Sequence, residues 1–137
     1  MLLVDTNVLL SAADTSDRDH LRCAALLDDR TDVAVTAPVA AETAWMLDAR
    51  LGAAAEIAFI ATIESDQLHV VDLTAVDWQR CRELLEMYED LRLGVVDASV
   101  IAVAERLGLS EIATLNHRDF RVVRPRHLDA FDLVPRR

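Results

Sequence analysis

Short apolar runs alternate with longer segments of helical periodicity along this chain, and that alternation limits the folds it can adopt. Apolar runs without polar alternation are typical of strands that are buried on both faces of a sheet. Such runs occur at Leu2–Val4, Val33–Thr36, Leu68–Leu73 and Ile112–Leu115. The 137 residues fit one domain, so we predict a single α/β domain over residues 1–137 with a central, mainly parallel sheet.

Capping signals between these runs predict the helices. Ser16 with Asp19, and Thr74 with Asp77, have the spacing of capping boxes, and Gly108 stands where helices usually stop. The predicted helices are His20–Asp29, Pro38 to about Leu51, Ala53–Ser65, Cys81 to Leu91 and Val95–Leu107. In the arginine-rich remainder, residues 116–137, we predict only weak strands, at Val122–Val123 and Phe131–Val134.

Charge and cysteine content narrow the functional classes. The chain has 14 Lys+Arg against 24 Asp+Glu, a formal net charge of −10, and all of the basic residues are arginine. Net charge alone therefore cannot attract a nucleic acid, and any phosphate site must be locally basic. Cys23 and Cys81 have no metal-ligand spacing and fit reduced core thiols. With no signal peptide or membrane-length apolar run, we expect a cytoplasmic protein.

Three acidic residues stand where the apolar pattern should exclude them. Asp5 follows the first strand, and Asp97 lies in the first turn of the most apolar helix. Glu42 lies within an apolar stripe formed by Val39, Trp45, Met46 and Ala49, the face expected to pack inward. Asn116 and Asp119 follow the fourth strand. Strand ends and helix starts of a parallel sheet converge at one edge, where ligands bind.

Carboxylates gathered at that edge need a counter-charge, because two unit charges ~4 Å apart repel by about 4 kcal/mol at an effective dielectric near 20. The chain has no lysine, and no arginine adjoins Asp5 or Asp97 in the sequence. A hard divalent cation, Mg²⁺ or Mn²⁺, is the natural counter-charge. An ion of this kind in an acidic site is typical of phosphodiester hydrolysis.

Four segments, LLVDTNVLL, APVAAETAWML, LGVVDASVIAVAERLG and IATLNHRDFRVV, resemble in this order the motifs of PIN-domain ribonucleases. The resemblance is strongest to the VapC-type toxins of bacterial toxin–antitoxin pairs, and it covers essentially the whole chain. It implies a three-layer α/β/α fold, Mg²⁺-dependent cleavage of RNA with Mn²⁺ as a substitute, and a cognate VapB-type antitoxin.

The resemblance also implies roles for individual residues. Asp5 and Asp97 match the principal metal ligands, and Glu42 matches the acid that completes the site and orients the water. Thr6 matches a hydroxyl that supports the first aspartate. The family commonly has an acid in the slot T-x-D, where this chain has Asn116, whose oxygen is an uncharged ligand. Either Asn116 or Asp119 then stands in the place of the fourth acid.

Arginines and a second apolar helix side suggest binding surfaces. Arg118 and Arg121, with Arg124 and Arg126, form either a solvated surface or a phosphate track for RNA. The helix that carries Glu42 has a second apolar side, formed by Ala40, Ala44, Leu47 and Leu51. A helix apolar on two sides is either fully buried or covered by another chain. The family favours a covering chain, in a homodimer or an antitoxin contact.

Three other functions are less consistent with the sequence. A receiver-type phosphoacceptor relies on a lysine, and an aspartyl-phosphate phosphatase needs an acid where Asn7 stands. No phosphate-cradling G-x-x-x-x-G-K motif occurs. The remaining alternative is a catalytically degenerate PIN domain that binds RNA or a protein without cutting, a hypothesis favoured by Asn116.

Overall fold

The computed structural model describes residues 1–136. A five-stranded sheet is formed by β1 (Leu2–Val4), β2 (Val33–Thr36), β3 (His69–Val71), β4 (Glu111–Ala113) and β5 (Asp132–Val134). The helices are α1 (Thr6–Ala13), α2 (His20–Asp28), α3 (Ala37–Leu51), α4 (Ala53–Glu64), α5 (Ala75–Met87), α6 (Gly94–Leu107) and α7 (His117–Val122). A short 3₁₀ helix, Glu89–Leu91, links α5 to α6. No helix within residues 1–136 combines the length and apolarity that a membrane crossing needs.

The sheet has the order β3-β2-β1-β4-β5, and all neighbouring strands are parallel. Leu3 of β1 pairs with Ala34 on one side and Ile112 on the other. The side chains of β1 are fully buried, as expected for a central strand between two helical layers. The three-layer α/β/α fold predicted from the sequence is thus confirmed.

The strand order positions a ligand site. From β1 the chain continues on one side to β2 and β3, and then crosses back to β4 on the other side of β1. The order therefore reverses between β1 and β4, and the crevice at the carboxyl ends of two such strands is where open α/β sheets bind ligands. Asp5 follows β1 at this point, and Thr114 follows β4.

Most predicted elements are confirmed. Thr74 and Asp77 form the expected capping box, with reciprocal hydrogen bonds of 3.2 and 3.0 Å. Gly52 ends α3 with φ of +94°, and Gly108 ends α6 in the left-handed region, where a side chain would be strained. Cys23 and Cys81 are free and buried, and burial raises the pKa of each thiol to about 11.

Two local predictions were wrong. The proposed capping box of Ser16 with Asp19 does not form, because Asp14 accepts hydrogen bonds from both the amide and the hydroxyl of Ser16. Asp19 instead precedes the first residue of α2 without a capping hydrogen bond of its side chain. Val122–Val123 is not a strand, since Val122 ends α7. The Asn116 side chain caps this helix and overrides the β preference of the two valines.

Helix α3 also differs from the sequence interpretation. Its buried residues are Val39, Thr43 and Leu47, whereas Trp45 is 72% exposed. The predicted stripe is therefore divided, since Val39 is fully buried and Met46 packs against the core, whereas Trp45 and Ala49 are exposed. The second apolar side also packs inward through Ala40, Ala44 and Leu47, whereas Leu51 is 41% exposed.

Candidate active site

A pocket of about 360 Å³ opens where β1 and β4 end. Of the residues predicted for the metal site and the fourth acid slot, four line it: Asp5, Glu42, Asp97 and Asn116. They come from four separate parts of the fold, namely the start of α1, helix α3, the first turn of α6 and the end of β4. The remaining lining residues are Thr6, Asn7, Leu10, Ser11, Asp17, Asp19, Met46, Arg50 and Leu115.

Asp5 is the most buried acid of the pocket, with 3% exposure. Its Oδ1 accepts a hydrogen bond of 2.8 Å from the Thr6 amide, and its Oδ2 accepts one of 2.8 Å from the Thr114 hydroxyl. A longer contact of 3.3 Å comes from the Asn7 amide group. Burial raises the pKa of the Asp5 carboxyl despite these hydrogen bonds, and the charge of Glu42 acts in the same direction.

The predicted contact of the Thr6 hydroxyl with Asp5 is not present. Thr6 contacts Asp5 through its backbone N–H, and its own buried hydroxyl has no hydrogen-bond partner among the described residues. Thr114 supplies the hydroxyl contact instead. The reason is geometric, because Thr114 directly follows the strand beside β1, whereas Thr6 has already entered helix α1.

Two further contacts join the ends of β1 and β4. The Asn7 side-chain oxygen accepts a hydrogen bond of 3.0 Å from the Leu115 amide. The Thr114 hydroxyl oxygen accepts one of 3.0 Å from the Asn116 amide while it donates to Asp5. Asp5 and the backbone before Asn116 are therefore held in fixed relation to each other, although they are more than a hundred residues apart in the sequence.

Asp97 experiences the combined charge of the site. Burial, together with the negative charges of Asp5, Asp119 and Glu42, raises its pKa to about 8. Within residues 1–136, none of the ion pairs involves Asp5, Glu42 or Asp97. Among the described residues, these carboxylates thus line one pocket without forming an ion pair with an arginine.

Asn116 and Asp119 are in direct contact. Asn116 caps α7, and its side-chain nitrogen donates a hydrogen bond of 2.9 Å to Oδ2 of Asp119. Of the two, Asn116 lines the pocket. Asp119 is not among the described lining residues, yet its charge contributes to the raised pKa of Asp97.

The arginines near the C-terminus do not form one continuous track. Arg118 is almost fully exposed, with its Nε 3.8 Å from Oδ1 of Asp119. Arg121 lines a different pocket, with His117 and Arg136. Arg126 forms an ion pair with Glu83 on α5, away from the acids. Of this group, Arg118 is the arginine next to a site acid.

Several residues in the pocket or in contact with its acids were not predicted from the sequence. Asn7 and Thr114 hold Asp5, whereas Asp17 and Asp19 extend the acidic lining. Arg50 is the one basic lining residue among residues 1–136. The available signal was its place in the row Glu42, Met46 and Arg50, since residues four apart on a helix are neighbours on its surface.

The donor set suits a hard cation that keeps most of its water. No group of three or more His, Cys, Asp and Glu side chains within residues 1–136 is arranged to hold a metal ion. Mg²⁺ is usually bound through one or two carboxylates and retained waters. A pocket lined by oxygen donors, with mutually repelling carboxylates and the buried Thr6 hydroxyl left without a partner, fits that mode of binding.

The fold and the pocket define a class of α/β/α protein with an acidic site at the carboxyl edge of a parallel sheet. A family model for the PIN domain matches residues 2–124, and the chain belongs to the PIN-domain family. The chain is 27% identical over 135 residues to ribonuclease VapC26 of Mycobacterium tuberculosis, with 98% of this chain and 100% of that protein covered.

Solved structures agree with this assignment. VapC20 of Mycobacterium tuberculosis, a toxin that cleaves the sarcin–ricin loop, is similar with a TM-score of 0.76 and 25% identity, over 82% of this chain and 87% of that one. VapBC2 of Rickettsia felis, bound to a DNA fragment from its promoter, matches with a TM-score of 0.68 and 18% identity, over 96% and 97% of the two chains. At 18% identity, the similarity to VapBC2 shows only that the two chains share a fold.

Proposed function

We propose that this chain, as a single PIN domain, is a toxin-type endoribonuclease that depends on a divalent metal ion and is neutralised by a cognate VapB-type antitoxin. The observation that carries the proposal is the convergence of Asp5, Glu42 and Asp97 in one pocket without a paired arginine. Membership of the PIN-domain family and the similarity to ribonuclease VapC26 support the same function.

Asp5 and Asp97 would hold Mg²⁺, with Mn²⁺ as a substitute, and Glu42 would join the metal site through a retained water. A bound ion would polarise a phosphoryl oxygen of RNA and lower the pKa of a water molecule. The protein's own contribution is orientation, since three hydrogen bonds fix the Asp5 carboxylate. No hydrogen bond from residues 1–136 fixes the Glu42 carboxylate, which leaves it able to orient the attacking water and to accept its proton.

Binding of the RNA chain involves neighbouring groups. We assign Asn116 to contact with the RNA substrate in the pocket. Thr6 would support the base of the pocket. Asp119 adds its charge as a fourth acid. Arg118 is free to reach a phosphate, because its contact with Asp119 is long and its side chain is exposed. Arg121 extends binding only if RNA passes to the second pocket that it lines.

The partners in this proposal are an antitoxin and a second copy of the chain. Exposed apolar side chains such as Trp45, Ile57 and Ile60 on α3 and α4 form a surface suited to another chain. Because the substrate is RNA and both cysteines are free thiols, we place the activity in the cytoplasm.

Cleavage assays test the function directly. Purified chain, freed of antitoxin, is incubated with structured RNA and Mg²⁺ or Mn²⁺, and again with chelator. We expect metal-dependent cleavage that Asp5→Asn abolishes and Asp129→Asn preserves, since Asp129 is an exposed acid that does not line the pocket. Cleavage that persists in chelator or in Asp5→Asn contradicts the proposal.

The second candidate is a degenerate PIN domain that binds RNA or protein without cutting. It is favoured by Asn116, which is neutral in the slot for the fourth acid and is hydrogen-bonded to Asp119. RNA binding without cleavage at any metal concentration, in protein shown to be free of antitoxin, would support this candidate over the nuclease.

A further inference from the structure

The acidic pocket has a second end with a different chemical character. Glu42, Met46 and Arg50 all belong to α3 and all line the pocket. Residues four apart share a helix face, so these three side chains follow one line along the pocket wall. With a rise of 1.5 Å per residue, the line extends about 12 Å from Glu42 to Arg50.

Arg50 is a cation without a fixed partner. Its guanidinium forms no ion pair or hydrogen bond with residues 1–136, and its side chain is exposed. The pKa of Asp14 is lowered chiefly by hydrogen bonds from Ser16 and to a smaller extent by the charge of Arg50. Arg50 therefore faces the loop that also supplies Asp17 and Asp19 to the pocket, and its guanidinium remains free to bind an anion.

Met46 lies between the acid and the arginine. It is partly buried, packs against the core and lines the pocket, so the wall between Glu42 and Arg50 is apolar. A nucleotide chain offers the same sequence of groups, since its charged phosphates are separated by ribose and base with apolar faces. Guanidinium groups bind phosphates bidentately, and such contacts fix register on a nucleic acid.

We propose that the α3 line Glu42–Met46–Arg50 is an RNA subsite in which Arg50 binds a phosphate flanking the one that is cleaved. This inference rests on the proposed ribonuclease function and adds a binding residue to it. Arg50 lies about two helical turns beyond Glu42, about 12 Å along the axis, so we assign it the neighbouring phosphate, where it sets the register of the RNA chain over the acids. Met46 supplies the surface between the two phosphates.

Binding and kinetics of Arg50→Gln test the subsite. Glutamine has a helix propensity close to that of arginine, so α3 should remain intact. In an Asp97→Asn background with Mg²⁺, which prevents consumption of the RNA, we expect single-stranded RNA to bind about tenfold more weakly. The slope of log K against log salt should fall by about 0.7, as for the loss of one phosphate contact. In the otherwise unmodified protein, KM should rise with kcat nearly unchanged.

Matched variants separate a specific contact from general charge. Arg82→Gln removes the same charge from the outer side of α5, where Arg82 pairs with Glu86, and should leave both RNA affinity and KM unchanged. Arg50→Lys should retain the salt slope but recover only part of the affinity, because lysine lacks the bidentate fork. The melting temperature of each arginine variant should match that of the protein into which the substitution was introduced.

Three results would overturn the subsite. If Arg50→Gln cleaves and binds RNA as the parent does, Arg50 only balances the negative charge of the loop acids. Unchanged RNA binding with weakened antitoxin binding assigns it to the protein interface. If the parent neither cleaves nor binds RNA, both the proposed function and the subsite are contradicted. Measurements on the parent alone show this outcome, so it is distinguished from failure of the subsite.

Discussion

The Thr114 hydroxyl donates a hydrogen bond of 2.8 Å to Oδ2 of Asp5, and both groups are buried. This contact joins the ends of two adjacent parallel strands at the carboxylate itself. The same hydroxyl accepts a hydrogen bond from the Asn116 amide. Thr114 therefore links Asp5, the most buried acid of the pocket, to Asn116, which stands where the family commonly has an acid. The orientation of the site therefore depends on a residue with no charge.

Thr114→Val should reduce activity although it removes none of the site carboxylates. Valine preserves the shape of the side chain but removes the donor to Asp5 and the acceptor for Asn116. Loss of a buried hydrogen bond to a charged group costs about 2 kcal/mol of unfolding free energy. We expect cleavage to fall at least tenfold, measured with saturating metal. Thr114→Ser keeps the hydroxyl and should retain most of the activity, so equal losses in both variants would argue against the hydrogen bond.

Asp97 should make the metal-free protein less stable as pH rises. Its pKa in the folded chain is about 8, above the ordinary value of 3.8, so folding favours the protonated form. The contribution of protonated Asp97 to the free energy of unfolding is fully present below pH 3.8. It is lost as the pH rises through about 8. We expect the unfolding free energy in chelator to fall by on the order of 2–5 kcal/mol over this window, measured by urea denaturation.

Asp97→Asn and added Mg²⁺ provide the controls. The variant should lose this pH dependence and should be more stable than the parent near pH 8, because one repelling charge is gone. In the parent, Mg²⁺ should raise stability more near pH 8 than near pH 5, since it binds the ionised carboxylates. A variant that is less stable at every pH would show that Asp97 acts mainly at the positive end of the α6 dipole.

The acids could be located from the sequence because each one violates the pattern around it. Asp5 interrupts an apolar run, and Asp97 stands in an apolar helix. The parallel sheet follows from strands separated by helices, and its edge brings these acids together. The four motif segments then suggested the PIN-domain family, which the family match confirms.

Residues that obey the local pattern were missed. Thr114 looks like the end of a strand, and its hydrogen bond to Asp5 depends on the pairing of β1 with β4. Arg50 looks like an ordinary basic residue in the last turn of a helix. Its place in the pocket depends on how α3 is rotated against the core. The sequence pattern did not fix this rotation, since Val39 of the predicted stripe is buried whereas Trp45 is 72% exposed.

The buried ion pair between Arg80 and Glu105 should be important for stability alone. Nε and Nη2 of Arg80 donate hydrogen bonds of 2.7 and 3.0 Å to the two Glu105 oxygens, and both side chains are less than a tenth exposed. Arg80→Met leaves the carboxylate without its arginine partner and should cost about 3–5 kcal/mol of unfolding free energy. Arg82→Met, in an exposed pair with Glu86, should cost less than about 1 kcal/mol.

Activity distinguishes this structural role from a functional one. Neither Arg80 nor Glu105 lines the acidic pocket, so cleavage per folded molecule should be the same in Arg80→Met as in the parent. The comparison is made at a temperature where circular dichroism shows both proteins to be folded. A specific loss of kcat in fully folded Arg80→Met would indicate that the α5–α6 contact also positions Asp97.

Asp119, rather than Asn116, should supply the fourth charge of the site. The charge of Asp119 contributes to the raised pKa of Asp97, whereas Asn116 is neutral and donates its hydrogen bond to Asp119. Asp119→Asn should therefore weaken metal binding, measured by calorimetry, and cut the cleavage rate at least tenfold, which corresponds to about 1.4 kcal/mol of transition-state stabilisation.

Asn116→Asp is the informative companion variant. It replaces the 2.9 Å hydrogen bond to Asp119 with two facing carboxylates, which repel by about 4 kcal/mol at ~4 Å separation and an effective dielectric near 20. We expect lower stability in chelator and little or no gain in rate with Mg²⁺. If Asp119→Asn is silent while Asn116→Asp raises both metal affinity and rate, the slot itself lacks its acid. Asp119 would then be a capping partner of Asn116, and catalysis would depend on Asp5, Glu42 and Asp97 alone.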